Sequence, residues 1–528
     1  MEVWSEVRLG GIIRGLVRWL ACLTVLAVLA GCSQPQVNKK ALSKVRIAYP
    51  SIIHSLDPLS ENTLISGSIY GNIFETLVRQ DAEFRFQPAL SVRWSTPNDR
   101  TWIFALRRDV TFHDGTPFTA EDVVFTFDRI KASSVAQQSS SVTVIDKMEA
   151  VDTYTIKLTT HQFCGNLLSR LSGQSIVSKK FFNSGATGFI PGTGPYRVRD
   201  WAPGKEVDLV VYENYWGNKP AIKEVSFEAN ATVDESVQKL LKGELEVLPQ
   251  LDPAAVKKYQ FASHQDVVVR NYPGVLVLYL SFDTMHETLP GLSTNPFKDS
   301  RVRKAVYEAV NVDFLIHDIQ QGYATEATQL IVPLVYGYNQ ETHRLPYDPA
   351  KSRRLLAEAG YPNGFAVRLD LPNNRYRSEV QVGQAIAKDL EAIGIHVELN
   401  PQPREEWTRI RQEGQSAFYL AGWAVASGDA SGALDYLIHT PDIASGYGRA
   451  NSGGYSNAEI DRIIEESGRE PDPKERQELM ERAMALAMED VAGVPLYIEQ
   501  NLTAYRSSLQ WDPRADLVIL CSDMQPAP

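Results

Sequence analysis

Nine histidines, His54, His113, His161, His264, His286, His317, His343, His396 and His439, are the first residues to test for metal or acid–base chemistry. None is spaced as HxxxH or HxH, and His286-Glu287 lacks the second histidine that a zinc-holding helix needs. Four cysteines are present, Cys22, Cys32, Cys164 and Cys521, and no two form a CxxC pair. Nucleophilic catalysis fares no better. GxSxG is absent, and Ser236 and Lys239 make one SxxK with no KTG partner. Their segment SVQKLLKGE reads instead as an amphipathic helix with Val237, Leu240 and Leu241 inward. No GxxxxGK[ST] loop is present, so ATP hydrolysis is not expected of this chain. Among the 64 acidic residues nothing marks a catalytic carboxylate pair. The expectation is a protein that is not an enzyme and that carries neither metal nor cofactor.

One cysteine does sit in a reactive context. Arg8, Arg14 and Arg18 precede the run WLACLTVLAVLA (19–30), and Gly31, Cys32 and the polar stretch SQPQVNKK follow. A basic region, a short apolar run and small residues before a cut site describe a secretory signal. Leu29, Ala30, Gly31 and Cys32 closely resemble the bacterial lipobox, in which cleavage leaves a lipid-modified cysteine as the first residue. The expected products are a signal peptide at 1–31, lipid attachment at Cys32 and a flexible tether over 32–43. An uncleaved anchor helix that happens to end in cysteine is the plain alternative. Either way the body lies outside the cytoplasm, where Cys164 and Cys521 are free to form a bridge or to stay as buried thiols.

The body must bury a large core. With 528 residues, two or three domains are expected. Its net charge of −11 argues against nucleic acid, whose phosphates call for a basic face. KVRIAYP (44–50) reads as a strand, as do VDLVVY (207–212), VVVR (267–270), VLVLYLSF (275–282), FAVRLDL (365–371) and IHVEL (395–399). Alternation in TWIFAL suits a further strand. Asp114-Gly115 marks a turn, and Thr119 with Asp122 forms a capping box before a helix that faces inward through Val123, Val124, Phe127 and Ile130. Asp348-Pro349 starts a helix that Gly360 and Pro362 stop. Ser456 and Glu459 read as another capping box, and 301–315 as one helix with Val302, Ala305, Val306 and Ala309 inward. VLVLYLSFD (275–283) and VPLYI (494–498) look like two chain crossings between lobes.

WIFALRRDVTFHDGTPFTAEDVVFTF strongly resembles the signature region of the family 5 extracytoplasmic solute-binding proteins, the group serving peptide and nickel importers. Further blocks agree in order: IYGNIFETLVRQD (69–81), GTGPYRV (192–198), YENYWGNKP (212–220), LKGELEV (241–247), FKDSRVRKAVYEAVNVDFLI (297–316), YDPAKSRRLLAEAGYPNGF (347–365), GGYSNAEID (453–461) and VPLYI. The resemblance spans about residues 45 to 510. It implies an α/β, two-lobed periplasmic-binding-protein-like fold with an extra subdomain in the first lobe. Its expected boundaries are lobe I at 44–284 with the subdomain at about 60–190, lobe II at 285–493, and a C-terminal segment, 494–528, returning to lobe I. It also implies a monomer that delivers a small solute, a peptide or similar, to an ABC permease with its ATPase subunits, while anchored to a membrane by lipid.

In peptide binders of the family, an Asp three residues after the Trp of a GW pair meets the peptide's amino group, and a second acid and Pro follow. Here GWAVASGDA (422–430) has Ala426 at the first position, Asp429 at the second and Ala430 for the Pro. An alanine cannot pair with an ammonium. Asp429 substitutes for it or caps a helix, or the ligand is not a peptide. Trp423 offers a flat apolar face for stacking or is a core residue. Arg375, in LPNNRYRSEV between a strand and a helix, and Tyr49, at the end of the first strand, complete the candidate ligand contacts. Two rival classes stay open from sequence: a secreted lipoprotein hydrolase, and a sensor subunit docking on a membrane receptor.

Overall fold

The two apolar runs at 267–270 and 275–282 are one sixteen-residue strand, Val267–Phe282. It lies antiparallel to Val494–Arg506, from Val267 opposite Arg506 to Leu280 opposite Val494. Both strands are long because both have a half on each side of the molecule. The structure, a computed structural model, describes residues 42–61, 63–133, 142–230, 232–425 and 427–528. The signal peptide, Cys32 and nearly all of the tether lie outside the described residues, as does Ala426.

Among the described residues these two strands run through the middle of an eleven-stranded mixed sheet. On one side Val267–Phe282 pairs antiparallel with Phe418–Ala424, and Phe365–Pro372 and Ile395–Gln402 follow outward. On the other side Val494–Arg506 meets Val247–Leu248, and then come Lys44–Tyr49, Glu224–Ala229, Glu206–Val211 and Tyr196–Ala202. Phe418–Ala421 is buried on both faces and reads as an apolar run, whereas Ala366, Arg368, His396 and Glu398 leave one face of the two outer strands exposed. Leu278, Leu280, Phe418, Leu420, Leu369 and Leu371 pack on one face. Val277, Tyr279, Tyr419 and Ala421 pack on the other, against Ile460, Ile463, Met480 and Met484. The fold is therefore the α/β, two-lobed arrangement expected from the sequence.

A separate four-stranded antiparallel sheet, ordered Ser91–Asn98, Thr101–Leu106, Thr155–Thr160 and Ile145–Asp152, carries its own core. Trp102, Phe104 and Leu106 alternate inward from Thr101–Leu106 and meet Val123, Phe127 and Ile130 of the helix Ala120–Lys131. That helix starts where the capping box puts it, with the Asp122 carboxylate accepting from Thr119 N at 2.9 Å. Gly115 takes the left-handed conformation (φ 83°) that its turn requires.

Two boundaries differ from expectation. The helix read over 301–315 stops at Ala309 and restarts at Val312, because Asn311 Oδ1 accepts from Phe314 N at 3.1 Å and recaps the chain. The cap expected at Ser456 falls one residue on. Asn457 Oδ1 accepts from Glu459 N at 3.1 Å, while Ser456 Oγ bonds Thr440 Oγ1. Asn ranks with Ser as a cap, so side-chain partners decide between neighbours. Cys164 and Cys521 are both buried and unbridged. No described helix is long and apolar enough to cross a membrane.

The pairing of the two long strands breaks between Pro273 and Val277. A Cβ on Gly274 would stand 2.4 Å from the Glu499 carbonyl oxygen, so the backbones approach more closely there than any side chain permits. Gly274→Ala is expected to lower stability by about 1–3 kcal/mol through forced backbone shifts. Urea unfolding followed by circular dichroism checks this, and an unchanged midpoint would refute the close approach.

Candidate ligand-binding site

Side chains gather beside the break in the paired strands. Arg377, in the loop after Phe365–Pro372, donates from Nη1 to Tyr323 O and from Nη2 to Gln500 O, both at 3.2 Å. Gln320 Nε2 donates to Arg377 O at 3.1 Å and to Tyr497 Oη at 2.9 Å. The loop at 373–378 is thereby tied to the crossing strand. Glu379 holds it from below, accepting from Arg375 N at 3.0 Å and from Tyr376 N. The Tyr376 hydroxyl accepts from Gly422 N at 2.9 Å, and a Cβ on Gly422 would meet the Tyr376 ring at 2.8 Å. The GW pair thus begins with a glycine because a tyrosine lies against it.

Trp423 follows, opposite Val277 just past the strand break. Its ring is half-buried, and its indole nitrogen is buried without a hydrogen-bond partner among the described residues. Arg375 is exposed, with its guanidinium 5.1 Å from the ring centroids of both Tyr376 and Trp407. Arg411 covers Trp407 at 4.1 Å, and Tyr376 meets the same indole edge-on.

Beyond Trp423 the chain turns at 427–431 and touches the other side of the molecule. Ser427 O accepts from Gln80 Nε2 at 2.6 Å and from Ser169 Oγ at 3.2 Å, and Asn166 Nδ2 donates to Ser431 Oγ at 3.0 Å. Gly428 lies so close to Phe84 that a Cβ would stand 2.4 Å from the phenylalanine's own. Trp423 and Arg375 therefore lie between a hinge at one end and a clasp at the other.

Asp429 lies inside the clasp. Its oxygens accept from Arg476 Nη1 at 2.8 Å and Nη2 at 2.9 Å, and Oδ1 also accepts from Ser431 N at 3.0 Å. Burial alone would push this carboxyl up, but the Arg476 charge and its hydrogen bonds prevail and hold it below the usual carboxylate range. Removing one member of such a buried pair costs about 3–5 kcal/mol, so the pair fixes this turn. Tyr49 is buried on the far side of the sheet's break. Its hydroxyl donates to Ser68 Oγ at 3.3 Å, and its ring stacks on Phe227.

The structure thus brings Trp423, Arg375 and Asp429 to one region and puts Tyr49 in a core. It adds Tyr376, Arg377, Trp407 and Arg411, which sequence reading did not single out. One signal was available: Trp407 and Arg411 are four apart on the helix Arg404–Gln412, the spacing that stacks one over the other.

Two lobes joined by paired crossing strands, with aromatic and charged side chains between hinge and clasp, define a hinged solute-binding protein. The chain belongs to the bacterial extracellular solute-binding proteins, family 5, whose middle-region model matches residues 85–445. It is 27% identical over 503 residues to the glutathione-binding protein GsiB of Shigella dysenteriae serotype 1, covering 92% of this chain and 93% of that protein. The structure is similar to the ABC transporter-associated periplasmic binding protein DppA of Helicobacter pylori in complex with the peptide STSA. The TM-score is 0.73 at 25% identity, over 92% of this chain and 98% of that one. It also matches HbpA2 of Haemophilus parasuis, with TM-score 0.81 and 20% identity over 92% and 100% of the two chains. The family, GsiB and DppA are binding proteins.

Asp435 follows the clasp turn, near Arg170 and Arg476, and burial raises its carboxyl to about 7 against the pull of Arg170. From the unfolded value of about 4 up to about 7, the unfolded chain releases this proton first, so the group lowers stability as pH rises, by about 1.4 kcal/mol per pH unit. Asp435→Asn stays neutral throughout. Its melting temperature relative to wild type is expected to rise from roughly pH 5 to roughly pH 8. Differential scanning calorimetry reads this difference, and a gap that stays constant across that range would mean that Asp435 is ionised in the fold.

Proposed function

We propose that this protein is the extracytoplasmic substrate-binding component of an ABC importer. It captures a small solute, a peptide or similar, between its lobes, releases it chemically unaltered and delivers it to a membrane permease. The observation that carries this reading is the interrupted pairing of the two long strands at Pro273–Val277, beside which Trp423 and Arg375 stand. Broken pairing at a double crossing lets two lobes rock without tearing the sheet, as in other hinged binding proteins. The relatives support the ligand class: GsiB is named for binding glutathione, and DppA of Helicobacter pylori holds a peptide.

In this reading residues 44–284 with 494–528 make one lobe, 285–493 the other, and about 60–190 the extra subdomain. Trp423 and Arg375 touch the solute. Asp429 acts from behind, fixing the turn that follows Trp423 through Arg476, and Tyr49 braces the first strand. Closing the lobes should compact the molecule. Full-length protein extracted in detergent is expected to release an intact small molecule when denatured after native mass spectrometry. Adding that molecule back should shrink the particle in small-angle scattering, and Trp423→Ala should weaken its binding about tenfold, the loss of one stacked aromatic contact. A processed product in place of an intact solute would favour a hydrolase instead.

The protein works at a membrane surface, held there by lipid on Cys32 after removal of residues 1–31. The basic, apolar and small-residue order before Cys32 supports this. Two acyl signals give stable anchoring. Cys32→Ser is expected to move the protein from the detergent phase to the aqueous phase in a cloud-point partition of whole cells. A wild-type protein already found in the aqueous phase would sink the anchor.

A further inference from the structure

The wall between hinge and clasp holds several buried donors that no protein acceptor meets, and its unpaired acceptors, Gln320 Oε1 and Gln500 Oε1, lie at the hinge end. Arg411 lies over Trp407 at 4.1 Å and over Tyr419 at 5.1 Å, and Arg375 faces Trp407 from 5.1 Å. Both guanidiniums meet π faces, and neither makes an ion pair among the described residues. The nitrogens Trp407 Nε1, Trp423 Nε1 and Arg411 Nε are buried without an acceptor among the described residues, and Trp407 itself is 1% exposed.

The nearby carboxylates are committed elsewhere. Glu379 accepts from two backbone N–H groups of its own loop, Glu499 accepts from Arg377 N at 3.3 Å, and Asp429 is taken by Arg476. Asp435 sits among Arg170, Arg476 and Asp429. At the position after Trp423 where an ammonium-binding acid would stand, the sequence has Ala426. Cations stacked on aromatic faces keep their N–H edges free, and those edges fit a carboxylate in two parallel hydrogen bonds. A donor buried without acceptor is costly, and a ligand oxygen removes that cost.

From this we infer that the cleft takes an anionic solute, seated by its carboxylate against Arg411, Arg375 and the two indole N–H groups, and that it does not select for a free ammonium. The inference rests on the binding-protein reading above and narrows its substrate class. It separates this chain from a binder of zwitterionic peptides, which needs a carboxylate of its own for the ligand's amine.

Fluorine NMR of the full-length protein labelled with 5-fluorotryptophan tests it, with the Trp407 and Trp423 resonances assigned by Trp407→Phe and Trp423→Phe. The probes are glutarate, a bare diacid, and cadaverine, a bare diamine of equal length. Glutarate at millimolar concentration is expected to move both resonances, and cadaverine to leave them in place. Arg411→Lys, which keeps the charge but loses the two parallel hydrogen bonds, should weaken the response. Arg375→Gln, which alters only an exposed side chain and so leaves the fold intact, should weaken it about tenfold, the worth of one charge-assisted hydrogen bond. If cadaverine moves the resonances and glutarate does not, the anion inference falls while the binding-protein reading stands. If neither probe moves them, the donor wall is structural and the inference is overturned.

Discussion

The rest of the structure depends on the antiparallel pairing of Val267–Phe282 with Val494–Arg506. Each strand is shared by two halves of one sheet, so its register sets the position of both. Backbone hydrogen bonds make such a pair stiff along its length, and breaks in register, here between Pro273 and Val277 and between Leu278 and Tyr279, are where it can bend. The larger break leaves Gly274, Val275 and Leu276 unpaired after Pro273. Proline cannot donate to the ladder, and the missing Cβ of Gly274 lets Glu499 O approach. Bending is thus confined to a few residues, and everything that must move relative to something else is placed by them.

The second constraint is the turn at 427–431. A glycine at 428 with φ 66° and a neighbouring Phe84 with φ 59° let two loops from opposite sides meet backbone to backbone. Buried polar groups on both sides need partners, and the carbonyl of Ser427 supplies one for Gln80 and one for Ser169. On the C-terminal side, Arg514 donates to the carbonyls of Gln80 and Asp81 and pairs with Asp516. The last segment of the chain therefore steadies the same hairpin that reaches the turn. Asp429 and Arg476 hold the turn from within. Between the strand break and this turn lies the surface that carries Trp423 and Arg375, the proposed solute contacts.

Much of this was legible in the sequence, and the divisions are physical. Apolar runs showed the two crossings, because a strand covered on both faces carries no polar alternation. Capping and turn chemistry put the helices at Ala120 and Pro349 and the turn at Gly115. The failures were local. Val310 and Asn311 interrupt an otherwise periodic helix, since one asparagine side chain can end a helix and begin the next. Asn457 takes the cap from Ser456 because Thr440 offers Ser456 another partner. Long-range pairings stayed hidden. Asp429 and Arg476 are 47 residues apart, and the sequence around each fits several roles until the fold joins them. The same holds for Gly428, whose need for a glycine comes from Phe84, some 340 residues earlier in the chain.

The unpaired donors proposed to meet the solute bear on how the clamp would work. Arginines without a counter-ion face each other's charge across a shared indole, and that repulsion falls once a carboxylate lies between them. A ligand that lowers this cost binds one arrangement of the lobes better than another, and only such a differential affinity shifts a conformational equilibrium. The hinge at Pro273 supplies the freedom to move. The clasp at Ser427 supplies a defined end point for that movement. In the proposed reading, the charge on Arg375 and Arg411, which no ion pair among the described residues takes up, makes movement depend on the solute.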